Sequence, residues 1–429
     1  MKYAFTNGIL LDGTKDMEPV SGKVVFTDGE KIEKIADAGA SMEGYEAVDL
    51  KGAYLLPGLI DLHVHLASSG KPPKRDKKPP NYKLLFDVLS KNKLALAVIK
   101  KLTANYAETE LMSGVTTIRT VAGILDMDGR VRDDINAGRI TGPRILAANT
   151  GISVPGGHFA GSIATEASSP EEAREHVRQI AATKPDLIKL MITGGVMDSS
   201  ADGEPGVLRM PPEMVKAACE EAHALGYKVA AHVESPEGVR VALENGVDTV
   251  EHGAEPDDEI IRLFKEKRAA VICTISPALP YADFELSESH ALPIAKKNGK
   301  IVMDGVIDCA RRCLDEGVPV GMGNDVGCPF VLHYNFWREL CYFHKYLGVS
   351  NSYSLYTATL GNAKIAGIDQ ETGSIEEGKS ADMIVVKEDP LKDLSALRNV
   401  SMVVARGKLI RDPKVKKIKD VDDLLDRYM

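Results

Sequence analysis

The sequence predicts an α/β protein, a (β/α)8 TIM-like barrel with a small β-sandwich domain formed by both chain ends. In the middle of the chain, short apolar runs rich in β-branched residues alternate with helical stretches. Both chain ends instead carry short strands separated by turns. At 429 residues the chain is too long for one small domain, and its length suits a large barrel with an appendage.

The contrast between ends and middle gives the domain boundaries. Residues 1–58 and 368–429 are predicted to form the β domain, and residues 59–367 the barrel. Asn-Gly and Asp-Gly pairs, which are hairpin turn signals, separate the first strands. The second segment returns to this style with strands at 381–386 and 400–408. Two such ends around a different middle indicate one domain built from both.

Eight apolar runs make up the predicted barrel, which is enough to close one. They lie at residues 59–65, 114–119, 144–149, 187–191, 228–232, 248–252, 270–274 and 318–323. Helical patterns lie between them, such as the one that begins with a proline at Pro212. A doubly wound open sheet is the rival fold. It would more naturally carry a glycine-rich phosphate loop after its first strand, and none is present.

Composition excludes several classes of function. With 53 basic and 62 acidic residues, the formal charge of −9 argues against nucleic acid or an anionic membrane as a partner. The six cysteines are scattered, and the spacing of Cys309 and Cys313 in a predicted helix favours structural thiols. The sequence start lacks the features of a signal peptide, and no apolar run reaches membrane-spanning length. A cytoplasmic location is therefore expected.

The most informative feature is the pair His63 and His65 at the end of the first barrel run. Side chains at i and i+2 of a strand share a face, so the two imidazoles would project together. Neutral imidazole is the commonest protein ligand of divalent metals. A lone His-x-His pair is weak evidence, and it gains weight only from further candidate ligands later in the chain.

Further polar residues recur where the predicted strands end, which is where barrel enzymes hold catalytic groups. Lys189 lies inside an apolar strand, where an unpaired lysine is costly. Its neutral amine could react with carbon dioxide to give a carbamate that bridges two cations. His232, His252 and Asp325 end other strands. A core histidine, a turn aspartate or a buried ion pair would explain each one alone, but together they favour a metal site.

At this point the chain resembles the amidohydrolase superfamily over nearly its whole length. The run at 57–65 is similar to the family's opening signature, and Lys189 to its carboxylated lysine. Further runs resemble the imidazolonepropionase-related, prolidase-like branch; they lie at 156–158, 192–197, 221–226, 250–253 and 373–382. Known members of that branch include metal-dependent Xaa-Pro or Xaa-Arg dipeptidases and enzymes that hydrolyse aryl amides, carbamates or ureas.

The resemblance implies two divalent metal ions, with zinc expected, bridged by carboxylated Lys189 and a hydroxide. Its implied ligands are His63, His65 and Asp325 for the more buried ion, and His232 and His252 for the more exposed one. Asp325 is also the expected proton carrier, from the hydroxide to the leaving nitrogen.

Two further histidines are candidates for substrate binding. His158, in a Gly-Gly-His loop after the third barrel strand, is expected to contact a substrate carboxylate or oxyanion. His333, shortly after the eighth strand, is a second candidate of the same kind. Ordinary alternatives are a surface-loop histidine for His158 and a helix-packing histidine for His333.

These observations predict a binuclear metal-dependent amidohydrolase that cleaves the C–N bond of a small-molecule amide, namely a dipeptide or an N-acyl amino acid. The alternative is a non-peptide amide, such as a cyclic imide, a lactam, a carbamate or an amide-linked toxin. A non-catalytic scaffold would be expected to lose ligands, and none is missing. Lys189 argues against mononuclear deamination. The resemblance also implies a homo-oligomer.

Two features leave the substrate open. Glu234, two residues after His232, would place a carboxylate near the pocket mouth. That carboxylate would either favour a basic substrate group or disfavour a free carboxylate. The basic, proline-rich segment 71–80 would be either a lid that attracts anionic substrates or a solvated insertion.

Overall fold

The computed structural model describes residues 1–72, 91–198 and 203–429 of the chain. Most of the basic, proline-rich segment 71–80 lies outside these ranges, so its predicted roles stay predictions. Among the residues described, no helix has the length and apolar character needed to cross a bilayer.

The strands of the described residues are numbered in chain order. They are β1 (Lys2–Thr6), β2 (Ile9–Leu10), β3 (Val20–Ser21), β4 (Lys23–Asp28), β5 (Lys31–Asp37), β6 (Glu46–Asp49), β7 (Tyr54–Pro57), β8 (Leu59–Val64), β9 (Val115–Thr120), β10 (Arg144–Ala147), β11 (Gly151–Ser153), β12 (Ala164–Glu166), β13 (Leu187–Met191), β14 (Lys228–Val233), β15 (Thr249–His252), β16 (Ala270–Cys273), β17 (Val320–Met322), β18 (Met383–Val386), β19 (Val400–Ala405) and β20 (Lys408–Arg411).

The α-helices lie mostly between the strands of the middle region. They span Lys93–Met112, Met127–Asn136, Pro170–Ala181, Pro212–Ala224, Pro236–Glu244, Asp258–Lys267, Leu279–Ala282, Leu286–Ser289, Pro293–Asp315, Phe336–Leu347, Asn351–Tyr356, Asn362–Ala366 and Lys419–Asp426. Three of them begin at a proline directly after a serine or proline, as the sequence at Pro212 predicted. Cys309 and Cys313 are buried in Pro293–Asp315, as expected of structural thiols.

The middle region is an α/β fold with parallel sheets. Each of the eight predicted runs contains a strand, namely β8, β9, β10 and β13 to β17. The pairing gives a three-stranded sheet, β10-β9-β8, and a seven-stranded sheet, β12-β11-β13-β14-β15-β16-β17, rather than one continuous sheet. The short strands β11 and β12 were not predicted. The chain breaks after β10 because Asn149 adopts a left-handed backbone conformation, with φ of 60°, and β11 pairs with β13 in its place.

Two hydrogen bonds nevertheless connect the two parallel sheets. The His65 N–H donates to the Val326 carbonyl at 2.9 Å, next to a bridge between Val64 and Val326. The Asp186 N–H donates to the Ala147 carbonyl at 2.7 Å. The carboxyl ends of β8 and β13 to β17 therefore face a common region, where the predicted ligands lie.

The chain ends form two further sheets. One has the order β5-β4-β1-β6, and the other, β20-β19-β18-β7-β2-β3, combines strands from both ends. Within it Leu56 of β7 lies opposite Ile384 of β18 in an antiparallel pair. One apolar cluster contains side chains of both sheets, including Phe5, Val25, Val48, Leu55, Met383 and Val404.

Candidate metal centre

The end of β8 and the segment after β17 bring three predicted ligands together. His63 and His65 project from β8, and their Nε2 atoms lie 3.4 and 3.2 Å from Oδ1 of Asp325. All three residues are buried. Side chains alternate along a strand, so His63 and His65 share a face. The hydrogen bond from the His65 N–H to the Val326 carbonyl brings the neighbouring Asp325 to this pair.

His232 and His252 complete this cluster from the ends of β14 and β15. Their ring centroids lie 4.7 Å apart, and the His252 ring lies 4.8 Å from that of His63. In the parallel register His252 lies opposite Val233, the residue that follows His232. This register explains why the rings of His232 and His252 lie close together. The four predicted imidazole ligands therefore form one continuous group.

Lys189 lies on β13 beneath these imidazoles, with 1% of its surface exposed. Its Nζ has no hydrogen-bond partner in the part of the chain that the structure describes, although a buried unpaired ammonium is strongly unfavourable. Burial lowers the pKa of Lys189 to about 8. This shift raises the fraction of neutral amine near physiological pH, and only the neutral amine can form a carbamate.

The second ring nitrogen of each histidine has a partner in the protein. The contacts are His63 Nδ1 with Glu251 Oε2 (2.7 Å), His65 Nδ1 with the Ala122 carbonyl (2.9 Å), His252 Nδ1 with Thr274 Oγ1 (2.7 Å) and His232 Nε2 with the Gly194 carbonyl (3.3 Å). Such outer contacts fix the ring orientation and tautomer of a metal-binding histidine. Burial also lowers the pKa of His63 to about 4, which keeps this ring in the neutral form that binds metals.

Glu251 is a buried residue of this centre that the sequence interpretation missed. Its carboxylate accepts from Arg119 Nη2 at 2.7 and 2.9 Å and from the Thr249 hydroxyl at 2.8 Å, besides contacting His63. Burial opposes ionisation, but Arg119 and His63 hold the pKa of Glu251 well below its usual range. The sequence did carry a signal for Glu251, because burying an acidic side chain inside an apolar strand costs free energy, as burying Lys189 does.

Backbone conformation is unusual at two ligands. His252 and Asp325 have φ of 71° and 54°, in the left-handed region that non-glycine residues rarely adopt. Such conformations cluster at functional sites. Gly323 is needed for close approach, since a Cβ there would lie 2.5 Å from Cβ of His63.

The two predicted substrate-binding histidines have different positions. His158 stacks on His232, with ring centroids 4.2 Å apart and planes 12° apart, and Asp198 holds its Nδ1. His333 contacts Glu110 Oε1 at 2.9 Å and the Ser68 carbonyl at 2.8 Å through its two ring nitrogens. His158 therefore lies at the centre. His333 would have to release one of these bonds to contact a substrate, and its role stays a prediction.

The donors fit divalent cations such as zinc. Ligand atoms of His63, His252 and Asp325 lie within 4.8 Å of one another, and so do those of His232, Glu234 and His252. Imidazole nitrogen with carboxylate oxygen is a common zinc ligand set. The buried Lys189 Nζ, which has no partner within the described residues and lies on the strand next to β14, also fits a carbamate, which would pair with the cations.

Comparison with known protein families shows the family of this chain. The model of the amidohydrolase family matches residues 54–410, most of the chain. The chain belongs to the amidohydrolase family. Within this family it is similar to imidazolonepropionase from Thermoplasma acidophilum, at 24% identity over 424 residues that cover 92% of this chain and 90% of the relative. It is also similar to ochratoxinase from Aspergillus niger, at 27% identity over 338 residues, 71% of this chain and 67% of the relative.

Two solved amidohydrolase structures place the chain in the prolidase-like branch. A Bifidobacterium longum protein described as a prolidase has a TM-score of 0.87 and 35% identity, covering 100% of this chain and 99% of its own. A Xaa-Pro dipeptidase with methionine bound in its active site has a TM-score of 0.83 and 29% identity, covering 96% and 100%. This amidohydrolase is thus an enzyme that acts on carbon–nitrogen bonds, and the imidazolonepropionase-related, prolidase-like branch is the right one.

Proposed function

We propose that this amidohydrolase uses two divalent metal ions, with zinc expected, to hydrolyse the amide bond of a dipeptide or an N-acyl amino acid. The observation that carries the proposal is the buried Lys189 amine, which has no hydrogen-bond partner among the described residues and lies on the strand that pairs with the strand of His232. A carbamate on this amine would supply negative charge where two cations need a shared ligand.

Each ligand has a defined task in this proposal. Bound metal ions would supply Lewis acidity and lower the pKa of a water molecule. His63, His65 and Asp325 would hold one ion, and His232 and His252 the other. Asp325 Oδ1 faces the two histidines, while its Oδ2 accepts from the Cys328 thiol at 3.4 Å. Oδ2 would accept the proton from the attacking water and deliver it to the leaving nitrogen.

His158 would bind the carbonyl or carboxylate oxygen of the substrate. Asp198 accepts from Nδ1–H, so Nε2 would donate to that oxygen in the imidazolium form, for which Asp198 supplies the counter-charge. The side chain is 16% exposed, unlike the deeper histidines, so a substrate can reach it.

The leaving group is the least constrained part of the proposal. Similarity to the two prolidase-like structures favours a dipeptide, or an N-acyl amino acid of the same shape. Similarity to ochratoxinase favours the second candidate, a non-peptide amide such as an amide-linked toxin. Both classes use the same attack on an amide carbonyl and differ in the group that leaves.

The proposal is tested by metal analysis and substrate screening of protein purified with bicarbonate. We expect about two divalent ions per chain and turnover of Xaa-Pro dipeptides or N-acyl amino acids. Aryl amides, cyclic imides and carbamates test the second candidate in the same assay. One ion or none, together with no turnover of any substrate, would contradict the two-metal mechanism.

Replacing His158 with alanine should lower kcat/KM about ten- to a hundredfold, mainly through KM, because a hydrogen bond to a charged group contributes about 1.5–3 kcal/mol. The metal content should stay unchanged. His223→Ala is the matched control, since His223 pairs with Asp248 at 2.9 Å on the exterior in the same manner. Equal kinetic effects of both substitutions would argue against a substrate contact at His158.

We also propose that the parallel sheets of residues 59–367 form one (β/α)8 barrel. The two hydrogen bonds between the sheets, His65 N–H to the Val326 carbonyl and Asp186 N–H to the Ala147 carbonyl, support this closure. The apolar cluster common to the two terminal sheets supports a β-sandwich domain made from residues 1–58 and 368–429.

A further inference from the structure

Glu234 lies next to the metal centre without belonging to the predicted ligand set. It follows the last residue of β14 and is two positions beyond His232. Strand alternation therefore directs both side chains to the same side. One ligand atom from each of His232, Glu234 and His252 lies within 4.8 Å of the other two.

The backbone of Glu234 is held from two sides. Its N–H donates to the Thr193 hydroxyl at 3.1 Å. Gly206 packs against its carbonyl, since a Cβ at Gly206 would lie 2.3 Å from that oxygen. These contacts fix the backbone position from which the Glu234 side chain extends.

Among the residues that the structure describes, Oε2 of Glu234 is buried without a hydrogen-bond partner, while the backbone of Val196 hydrogen-bonds the carboxylate. The charged groups with the largest effect on it are Asp325 and Asp198, which are both acidic. A buried carboxylate in such surroundings is unfavourable unless a cation lies beside it.

We propose that Glu234 is a direct ligand of the ion held by His232 and His252. The inference rests on the proposed two-metal function. Two histidines and one glutamate form an established three-ligand set for catalytic zinc, with bonds of about 2.0–2.2 Å. The three donors already lie close enough for small side-chain movements to bring them around one ion.

This assignment changes how the second ion depends on Lys189. With His232 and His252 alone, that ion has two protein ligands and needs the carbamate as a third. With Glu234 it has three protein ligands without the carbamate. Lys189→Ala should therefore still bind one ion at His232, Glu234 and His252.

The test is equilibrium dialysis with Co²⁺ alone, combined with absorption spectroscopy of the cobalt bands. We compare wild type, Glu234→Gln, Lys189→Ala and the double variant. Loss of Glu234 should weaken one of the two sites about 10- to 100-fold and shift its cobalt bands. Lys189→Ala should retain about one ion, and the double variant should lose it.

Controls separate this proposal from folding and from the proposed function. Glu237→Gln, in an exposed position of the following helix, should bind cobalt as the wild type does. Glu234→Asp keeps a carboxylate and should bind more tightly than Glu234→Gln. Unchanged cobalt affinity and unchanged cobalt bands in Glu234→Gln would overturn the ligand assignment. This holds even if the variant loses turnover of substrates with a free ammonium group, because the carboxylate would then contact the substrate and not the metal ion. Fewer than two ions in the wild type would instead contradict the two-metal function.

Discussion

Replacing Lys189 with alanine should reduce kcat/KM by on the order of a thousandfold, which corresponds to about 4 kcal/mol of activation free energy. The substitution removes the amine that would carry the bridging carbamate, so the metal content should fall below that of the wild type. In metal-free protein the unfolding free energy should change little, because removing an unpartnered buried amine offsets the loss of the buried methylene groups. Elemental analysis, kinetics and thermal unfolding measure the three effects.

Lys228→Ala is the matched control, since Lys228 is the exposed first residue of the neighbouring strand β14. It should keep full metal content and activity. Short carboxylic acids such as acetate or propionate should partly restore Lys189→Ala, because they fit the space of the missing carbamate. Full activity of Lys189→Ala without added acid would exclude a carbamate role.

Replacing Glu251 with glutamine should cost about 3–5 kcal/mol of unfolding free energy, because it leaves the buried Arg119 guanidinium without its counter-charge. It also weakens the contact that orients His63, so metal affinity should fall about 10- to 100-fold. Denaturant unfolding of metal-free protein isolates the first effect, and metal titration measures the second.

Glu220→Gln offers the matched comparison, because Glu220 pairs with Arg174 at 2.6 Å in a partly exposed position. Exposed pairs contribute about 0–1 kcal/mol, so this variant should unfold like the wild type. Equal destabilisation by both substitutions would mean that the Arg119–Glu251 pair contributes no more than a surface pair. Loss of stability without loss of metal affinity would remove the proposed role of Glu251 in orienting His63.

The sequence indicated which candidate ligands would come together because most of them lie where an apolar run ends, and such ends meet at one edge of parallel strands. Strand alternation indicates His63 and His65 as candidate ligands, and the free-energy cost of burying an amine indicates Lys189. Glu251 was missed because its partner Arg119 lies on a distant strand, and only the folded sheets bring them together. The break after β10 depends on the left-handed conformation of Asn149, which no periodicity reveals.

The pairing of β7 with β18 has a consequence for biosynthesis. Leu56 emerges early from the ribosome, but its antiparallel partner Ile384 belongs to the last part of the chain. At synthesis rates of about 5–20 residues per second, one edge of β7 waits on the order of tens of seconds for its neighbour. During that interval Leu55 and Leu56, which are buried in the folded protein, lack this partner strand, and an unpaired apolar strand edge can pair with other chains.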